Sequence, residues 1–404
     1  VITILFCVVG WLLGCLLFAR PKTVSQLRAT SQRSLSSEAA STSGPAPELV
    51  EGVASEPQHQ LNNTAVFDVI IPARNEAASI GLLLSDLAGL PEAGNRIIVV
   101  NDHSTDRTAV IAAEFSGVEV IEAEDLPEGW TGKSWACHTG FEHLRRTTSG
   151  MARGLVFLDA DVRLLPDVAE RLVNHQRATG SLVSVQPWNE TKRIYEKLSA
   201  LFNVLALMGT AMSSLTRSTG AFGAVLVTTQ EDYLLAGGHS AVRSQVVDDL
   251  ALSANYRLSG IHVELFCGAQ DLRFRMYPDG LRQLTEGWAK NFATGAGSTP
   301  PLRLAAAVLW ITSLGSASLL LIGAALDSQP VWIGIALYAA FAAQLAWMYR
   351  KVGNFGPLTA AVFPTHVAFF FCVFAWSLWR TYVRRSVTWR GRVIPVGASS
   401  HNPC

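Results

Sequence analysis

The sequence predicts an α/β fold, a mostly parallel, doubly wound sheet, set between apolar segments that enter a membrane. Three observations predict it. From Phe67 onward, short β-branched runs alternate with longer amphipathic ones, the pattern of strand and crossover helix. Those runs end in acids or amides, at the sheet edge where open α/β folds bind ligands. The apolar residues, 49% of 404, crowd towards the two ends of the chain.

Taken in order, residues 1–19 carry no charge before Arg20, and a run near 20 residues matches a bilayer span. The alternative is a cleaved signal peptide, but no small-x-small site precedes Arg20, so an uncleaved transmembrane anchor is expected. Residues 20–65, rich in Ser, Ala, Thr, Pro and Gln, show no apolar period and read as a flexible tether. Arg20, Lys22, Arg28 and Arg33 follow the anchor and place the central domain, residues 66–297, on the cytoplasmic side of an integral membrane protein. Within it, strands are expected at 67–72, 96–102, 118–122 and 155–159, with helices near 77–90, 105–116 and 133–147. Later strands fall at 182–187 and 224–228. Between them a long helix near 195–215 is apolar on nearly every face, as core or as a membrane-surface helix, and the membrane is favoured. Further spans are expected at 304–326, 330–348 and 357–379, within a region 298–380. The tail, 381–404, carries Arg384, Arg385, Arg390 and Arg392 just after Arg380, and arginines belong inside. Three crossings would put them outside, so one of these segments is expected to be re-entrant or interfacial.

Zero net charge, 32 basic against 32 acidic residues, offers no bulk attraction to nucleic acid, which is not an expected partner. Cys7, Cys15 and Cys372 lie in apolar segments, and Cys137, Cys267 and Cys404 have no disulfide or metal spacing, which suits a reducing compartment. The sequons at Asn62 and Asn189 would then go unused.

The most informative stretch is Gly154-Leu155-Val156-Phe157-Leu158-Asp159-Ala160-Asp161. A buried strand delivers two carboxylates onto the loop at its end, where they can converge on one hard divalent cation, Mg2+ or Mn2+, or on metal-bound phosphate oxygens. An Asp pair alone commonly sits in a solvated turn, so its neighbours matter. The first strand ends in Pro72-Ala73-Arg74-Asn75-Glu76 and the second in Asn101-Asp102-His103-Ser104, both at the same edge. Asn75 and Ser104 are also good helix caps, the role expected for Ser104. Asp102 is placed to grip a ribose or base edge. In Gly129-Trp130-Thr131-Gly132-Lys133, backbone amides at a helix start plus an ammonium suit a diphosphate, although such a lysine is often merely solvated. Asp248 and Asp249 open a helix, as dipole partners or as a base for an acceptor hydroxyl. Trp288 and Lys290 precede the apolar region, as an interfacial anchor or as part of a donor site.

In this order, GWTGK, FLDAD, VDD, MYPDG and EGWAKN resemble the family 2 glycosyltransferases of the GT-A fold, over about residues 66–297. They look most like the membrane-bound branch that glycosylates carotenoid acids, with the hopanoid-associated glycosyltransferases nearby. The resemblance implies a nucleotide-diphospho-sugar donor, a divalent metal and an inverting reaction. It implies that Asp102 contacts the nucleobase or ribose, that Asp159 and Asp161 hold metal and diphosphate, and that Lys133 binds donor. Asp249, paired with Asp248, would match the catalytic base. Pro72, Arg74, Asn75, Glu76, Trp288 and Lys290 complete the expected donor site. Two departures stand out. The Gln-x-x-Arg-Trp motif of processive synthases is absent, which favours transfer of one sugar, and position 101 is Asn where many members carry Asp. The expected activity is transfer of one hexose, from UDP-glucose, to an apolar lipid such as a carotenoid or hopanoid. The alternatives are a polyprenyl-phosphate sugar transferase, a polysaccharide synthase, or an inactive membrane scaffold.

Overall fold

The computed structural model describes residues 2–19, 21–27, 66–91, 94–147, 153–210, 220–245, 247–326, 331–379, 386–389 and 392–395. Helix α1 (Ile2–Leu17) comes first. Then β1 (Phe67–Ala73), α2 (Ile80–Asp86), β2 (Arg96–Asn101), α3 (Thr108–Ala113), β3 (Val118–Glu122), α4 (Gly132–Thr147) and β4 (Gly154–Leu158) alternate as expected. Helices α2 and α3 are shorter than the sequence suggests, because the residues ahead of them cross-link two loops. Asp106 accepts from Ala77 N at 3.1 Å and from Thr108 N at 2.9 Å.

The chain continues through β5 (Val162–Leu164), α5 (Val168–Thr179), β6 (Leu182–Gln186), β7 (Trp188–Asn189), a short 3-10 helix (Ile194–Ser199) and α6 (Ala200–Thr210). Next come β8 (Val225–Thr229), α7 (Gln230–Leu235), α8 (Gly238–Ala241), α9 (Asp248–Leu258), β9 (Val263–Cys267), β10 (Leu272–Phe274) and α10 (Leu281–Ser298). Four apolar helices follow, α11 (Pro301–Leu326), α12 (Val331–Val352), α13 (Pro357–Ala361) and α14 (Phe363–Trp379), and then a hairpin of β11 (Ser386–Trp389) and β12 (Arg392–Pro395).

The main sheet has the order β3-β2-β1-β4-β8-β6-β9. β1 is parallel to both β2 and β4, whereas β8 runs antiparallel between β4 and β6. Its inner strands are apolar on both faces because helices cover both. A second sheet, β5-β10-β7, takes up the chain just after Asp161. β5, β7, β9, β10, β11 and β12 are additions to the expected strands. Asn189, within β7, is buried, so its sequon offers no room for a glycan; Asn62 lies outside the described residues. Cys7, Cys15, Cys137 and Cys372 form no disulfide.

Two expectations are corrected. The tether does not begin as one: Val24 N donates to Cys267 O at 3.0 Å, Cys267 N donates to Lys22 O at 2.8 Å, and Lys22 pairs with Glu264 at 2.5 Å. Val24 is buried, and Arg171 Nη1 donates to its carbonyl at 3.1 Å. The cause is β9, an edge strand whose unpaired backbone groups recruit the nearest extended chain. Residues 28–65 lie outside the described residues. Likewise α6 does not lie on a membrane surface. Leu201, Phe202, Val204, Leu207 and Met208 are buried in one cluster with residues of α10, α11, α12 and α14, as befits a helix apolar all round. Residues 211–219 of the expected helix lie outside the described residues.

Pro301–Gly323 and Val331–Val352 are long and apolar enough to cross a membrane, while α1 and α14, at 16 and 17 residues, are shorter. The apolar stretch expected at 357–379 is broken after Ala361. Pro364 in the first turn of α14 supplies no N–H to a preceding turn and cannot continue α13. Gly10 and Gly14 let α1 approach α11 closely: a Cβ on Gly14 would lie 2.2 Å from Trp310 Nε1. That indole donates to Gln344 Oε1 at 2.9 Å, tying α11 to α12. Of the tail arginines, Arg380, Arg384, Arg385 and Arg390 lie outside the described residues.

Candidate active site

The carboxyl ends of β1, β2 and β4 open into one cavity of about 1340 Å3, which receives Pro72, Arg74, Asn75, Glu76, Asp102, Asp159 and Asp161. β1 lies between β2 and β4, so the chain leaves the sheet's middle in opposite directions and a crevice forms there. Asp102 is buried, and Arg74 holds it: Nη1 donates to its carbonyl at 2.7 Å and lies 3.5 Å from Oδ2. Asn75 takes a left-handed φ of 54°, donates its N–H to Ser104 Oγ at 3.0 Å and accepts from Thr105 N at 2.8 Å. Ser104, expected as a cap, thus staples two site loops together, and the helix after it starts at Thr108, with Arg107 in the N-cap position instead. Ser79 Oγ donates to the Glu76 carboxylate at 2.8 Å. Asn101 is absent from the lining. Its Nδ2 donates to Glu122 at 2.8 Å, which ties β2 to β3.

Lys133 stands in the first turn of α4, its Nζ 2.6 Å from Asp159 Oδ1 and donating to Gly223 O at 3.0 Å. Burial works against its charge, but Asp159 and Asp248 outweigh burial and hold the pKa above that of an ordinary lysine. Asp249 Oδ2 accepts from Gly223 N, and Oδ1 from Leu250 N, both at 2.8 Å. Burial, then the neighbouring Asp248, pushes its pKa up to about 6. Ser134 Oγ donates to Asp248 Oδ2 at 3.4 Å. Gly223 is a bridge that sequence reasoning missed: its N–H serves Asp249, its carbonyl serves Lys133, and a Cβ there would lie 3.1 Å from Lys133 Nζ.

Trp288 is 4% exposed, so its ring is covered by protein and not offered to lipid headgroups as an interfacial anchor would be. Its Nε1 donates to Ser199 Oγ at 3.0 Å and its ring stacks on Phe202 at 5.0 Å. Lys290 lines the same cavity; burial depresses its pKa while Asp248 and other acids of the site oppose the shift. Tyr277, with φ 56°, also lines the cavity, and burial and Asp161 raise its pKa. Its ring occupies the space above Gly287, where a Cβ would lie 2.2 Å away.

Among the described residues no group of three or more His, Cys, Asp or Glu is arranged to hold a metal. The donor set still fits one. Asp159 and Asp161 present hard oxygens to the cavity, and Asp159 already attracts a cation, the Lys133 ammonium. Mg2+ in particular binds through one or two carboxylates, with substrate phosphates and water completing the shell.

The cavity does not end at the acids. It continues between α6, α11 and α14, where Leu205, Ala206, Val308, Ile311, Phe370 and Phe374 line it. The paired phenylalanines recur at i and i+4, but nothing in their spacing reveals that α6 and α11 face them.

The model of glycosyl transferase family 2 matches residues 68–220. A 4,4'-diaponeurosporenoate glycosyltransferase of Staphylococcus aureus (strain MRSA252) is 36% identical over 352 residues, 83% of this chain and 91% of the relative. The chain belongs to glycosyl transferase family 2. The protein of the same name from strain USA300 is 35% identical over 350 residues, again 83% of this chain and 91% of the relative. Among solved structures, the mannosyltransferase PcManGT from Pyrobaculum calidifontis, in complex with GDP-Man and Mn2+, aligns with a TM-score of 0.48 at 20% identity, covering 89% of this chain and 99% of that one. The sheet described above is the GT-A sheet of a family 2 glycosyltransferase, and the enzyme's candidate residues gather at its switch point.

Proposed function

We propose that this glycosyltransferase moves one hexose, from UDP-glucose, onto the carboxylate of an apolar lipid such as a carotenoid acid, with inversion. The observation that carries the reading is the continuity of the cavity: polar and acidic at the sheet edge, apolar between α6, α11 and α14. The relatives' name specifies a diaponeurosporenoate, and that ending denotes a carboxylate. The catalytic domain, about residues 66–297, faces the cytoplasm, and α11 and α12 cross the bilayer, so that the lipid enters sideways from the membrane.

In this mechanism Asp102, held by Arg74, contacts the ribose or base, and Pro72, Asn75 and Glu76 shape the wall beside it. Asp159 and Asp161 would hold Mg2+ or Mn2+, which supplies positive charge against the departing diphosphate. Lys133 is part of the same charge balance: when donor enters, its ammonium exchanges Asp159 for diphosphate oxygens. Asp249, locked by two backbone N–H groups, orients the acceptor, with Asp248 beside it. Trp288 and Tyr277 wall the sugar end. A carboxylate acceptor carries no proton to remove, so Asp249 serves as a base only for a hydroxyl acceptor.

The test is mass spectrometry of lipid extracts from cells with and without the protein, fed labelled glucose. A monoglucosyl ester of an apolar acid that appears only with the protein supports the reading. Label only in polymer or in a polyprenyl phosphate would overturn it.

A further inference from the structure

Lys290 occupies the seam between the two halves of the cavity. On α10 the residues Arg282, Gln283, Glu286, Gly287, Trp288 and Lys290 all line the cavity, so a broad face of the helix is turned inward and Lys290 is the last of its charged members. Beyond Lys290, the lining contributed by α10, α11, α14 and the link between α10 and α11 among the described residues carries no charged group: Gly295, Thr299 and then the uncharged, mostly apolar residues of α11 and α14. Lys290 interacts electrostatically with Asp248, Asp249 and Asp159, and is opposed by the like charge of Lys133. Lys290 thus stands on the side of the acids, with the uncharged lining of the channel following it along the chain.

We infer that Lys290 seats the carboxylate of the acceptor and so selects a lipid acid over the matching lipid alcohol. This rests on the acceptor reading given above. An acid that travels up the channel arrives beside Asp248 and Asp249, and like charges repel unless a cation stands between them. Lys133 is engaged elsewhere, 2.6 Å from Asp159. The chemistry asks for a cation. A carboxylate oxygen forms a bond to the anomeric carbon as the bond from that carbon to the diphosphate oxygen breaks, and the electron pair leaves with the diphosphate. No proton changes hands. An alcohol brings no charge to the ammonium and has a proton to lose, so it gains little from Lys290 and more from Asp249.

The test uses the full chain in membrane vesicles with UDP-glucose and Mn2+, and all-trans-retinoic acid and all-trans-retinol as paired probes. Lys290→Met should lower kcat/KM for retinoic acid about 30-fold, mainly through KM, the loss of one charge-assisted contact. Transfer to retinol should fall less than about threefold. Lys290→Arg, which keeps the charge, should recover most of the acid activity and shows that the site still folds. Equal losses on acid and alcohol, or an equal loss of UDP-glucose affinity, overturn the inference. Unchanged activity of Lys290→Met on retinoic acid overturns it as well and leaves the acceptor reading standing. A wild-type protein that does not glucosylate retinoic acid overturns the acceptor reading itself.

Discussion

Replacing Lys133 by Met tests whether its ammonium holds the place of a metal. The pair it forms with Asp159 is 2.6 Å long, which at an effective dielectric of about 20 is a gross attraction of about 6 kcal/mol. The side chains are 24% and 30% exposed, so solvent screens most of this and leaves a net of about 1–2 kcal/mol. Removing the ammonium frees Asp159 of its competitor, and Mn2+ should bind the donor-free protein about tenfold more tightly. The same change takes a cation from the incoming diphosphate, a charge-assisted contact worth about 2 kcal/mol, so UDP-glucose should bind about 30-fold more weakly. The assay is a pair of titrations, Mn2+ followed by its free-ion EPR signal and UDP-glucose followed by calorimetry. Opposite signs are the signature. If both ligands weaken together, Lys133 is only a structural prop, and if UDP-glucose affinity is unchanged the donor role fails.

Asp161→Ala should reduce transfer to a carotenoid acid by about a thousandfold, the scale of losing electrostatic stabilisation of a leaving group, while Asp249→Asn costs about tenfold. Equal losses in product formation would point to a hydroxyl acceptor. Gly287→Val places carbon where the Tyr277 ring already lies, 2.2 Å from an ideal Cβ, and should lower the thermal midpoint in detergent through about 1–3 kcal/mol of overpacking; an unchanged midpoint would contradict the packing described. Glu264 is held down to about 2 by His175 and, against the pull of burial, by Lys22. Its pKa is depressed in the fold, so its contribution to stability is present at neutral pH and lost as pH falls through that value. Glu264→Gln should therefore melt earlier than wild type at pH 7, and the two curves should converge in acid.

The sheet core was legible because a parallel strand buried on both faces is nearly all apolar. Phe67–Ala73, Arg96–Asn101 and Gly154–Leu158 each read that way and end in the polar residues that become the site. β9, with its run Val263-Glu264-Leu265-Phe266-Cys267 between Gly260 and Gly268, carried a usable signal that went unread. β5 and β7, of 3 and 2 residues, are too short to show a period and exist only because β10 pairs with both. Residues Lys22–Val24 look like tether in isolation, and the partner that orders them is a distant edge strand. The acids and Lys133 were found from residue type at strand and helix ends. Gly223 was not, since its contribution is a backbone N–H and carbonyl that any residue possesses. α6 misled because apolar on every face describes a membrane helix and a core helix alike.

The most direct measurement uses the full chain in lipid vesicles, UDP-[13C]glucose, Mn2+ and a carotenoid acid, with the product followed by mass spectrometry before and after mild alkali. The expected product carries one labelled hexosyl group and releases it in alkali, as an ester must. A product with several hexoses, an alkali-stable linkage, or label on a lipid phosphate alone would contradict transfer of one sugar to a lipid carboxylate.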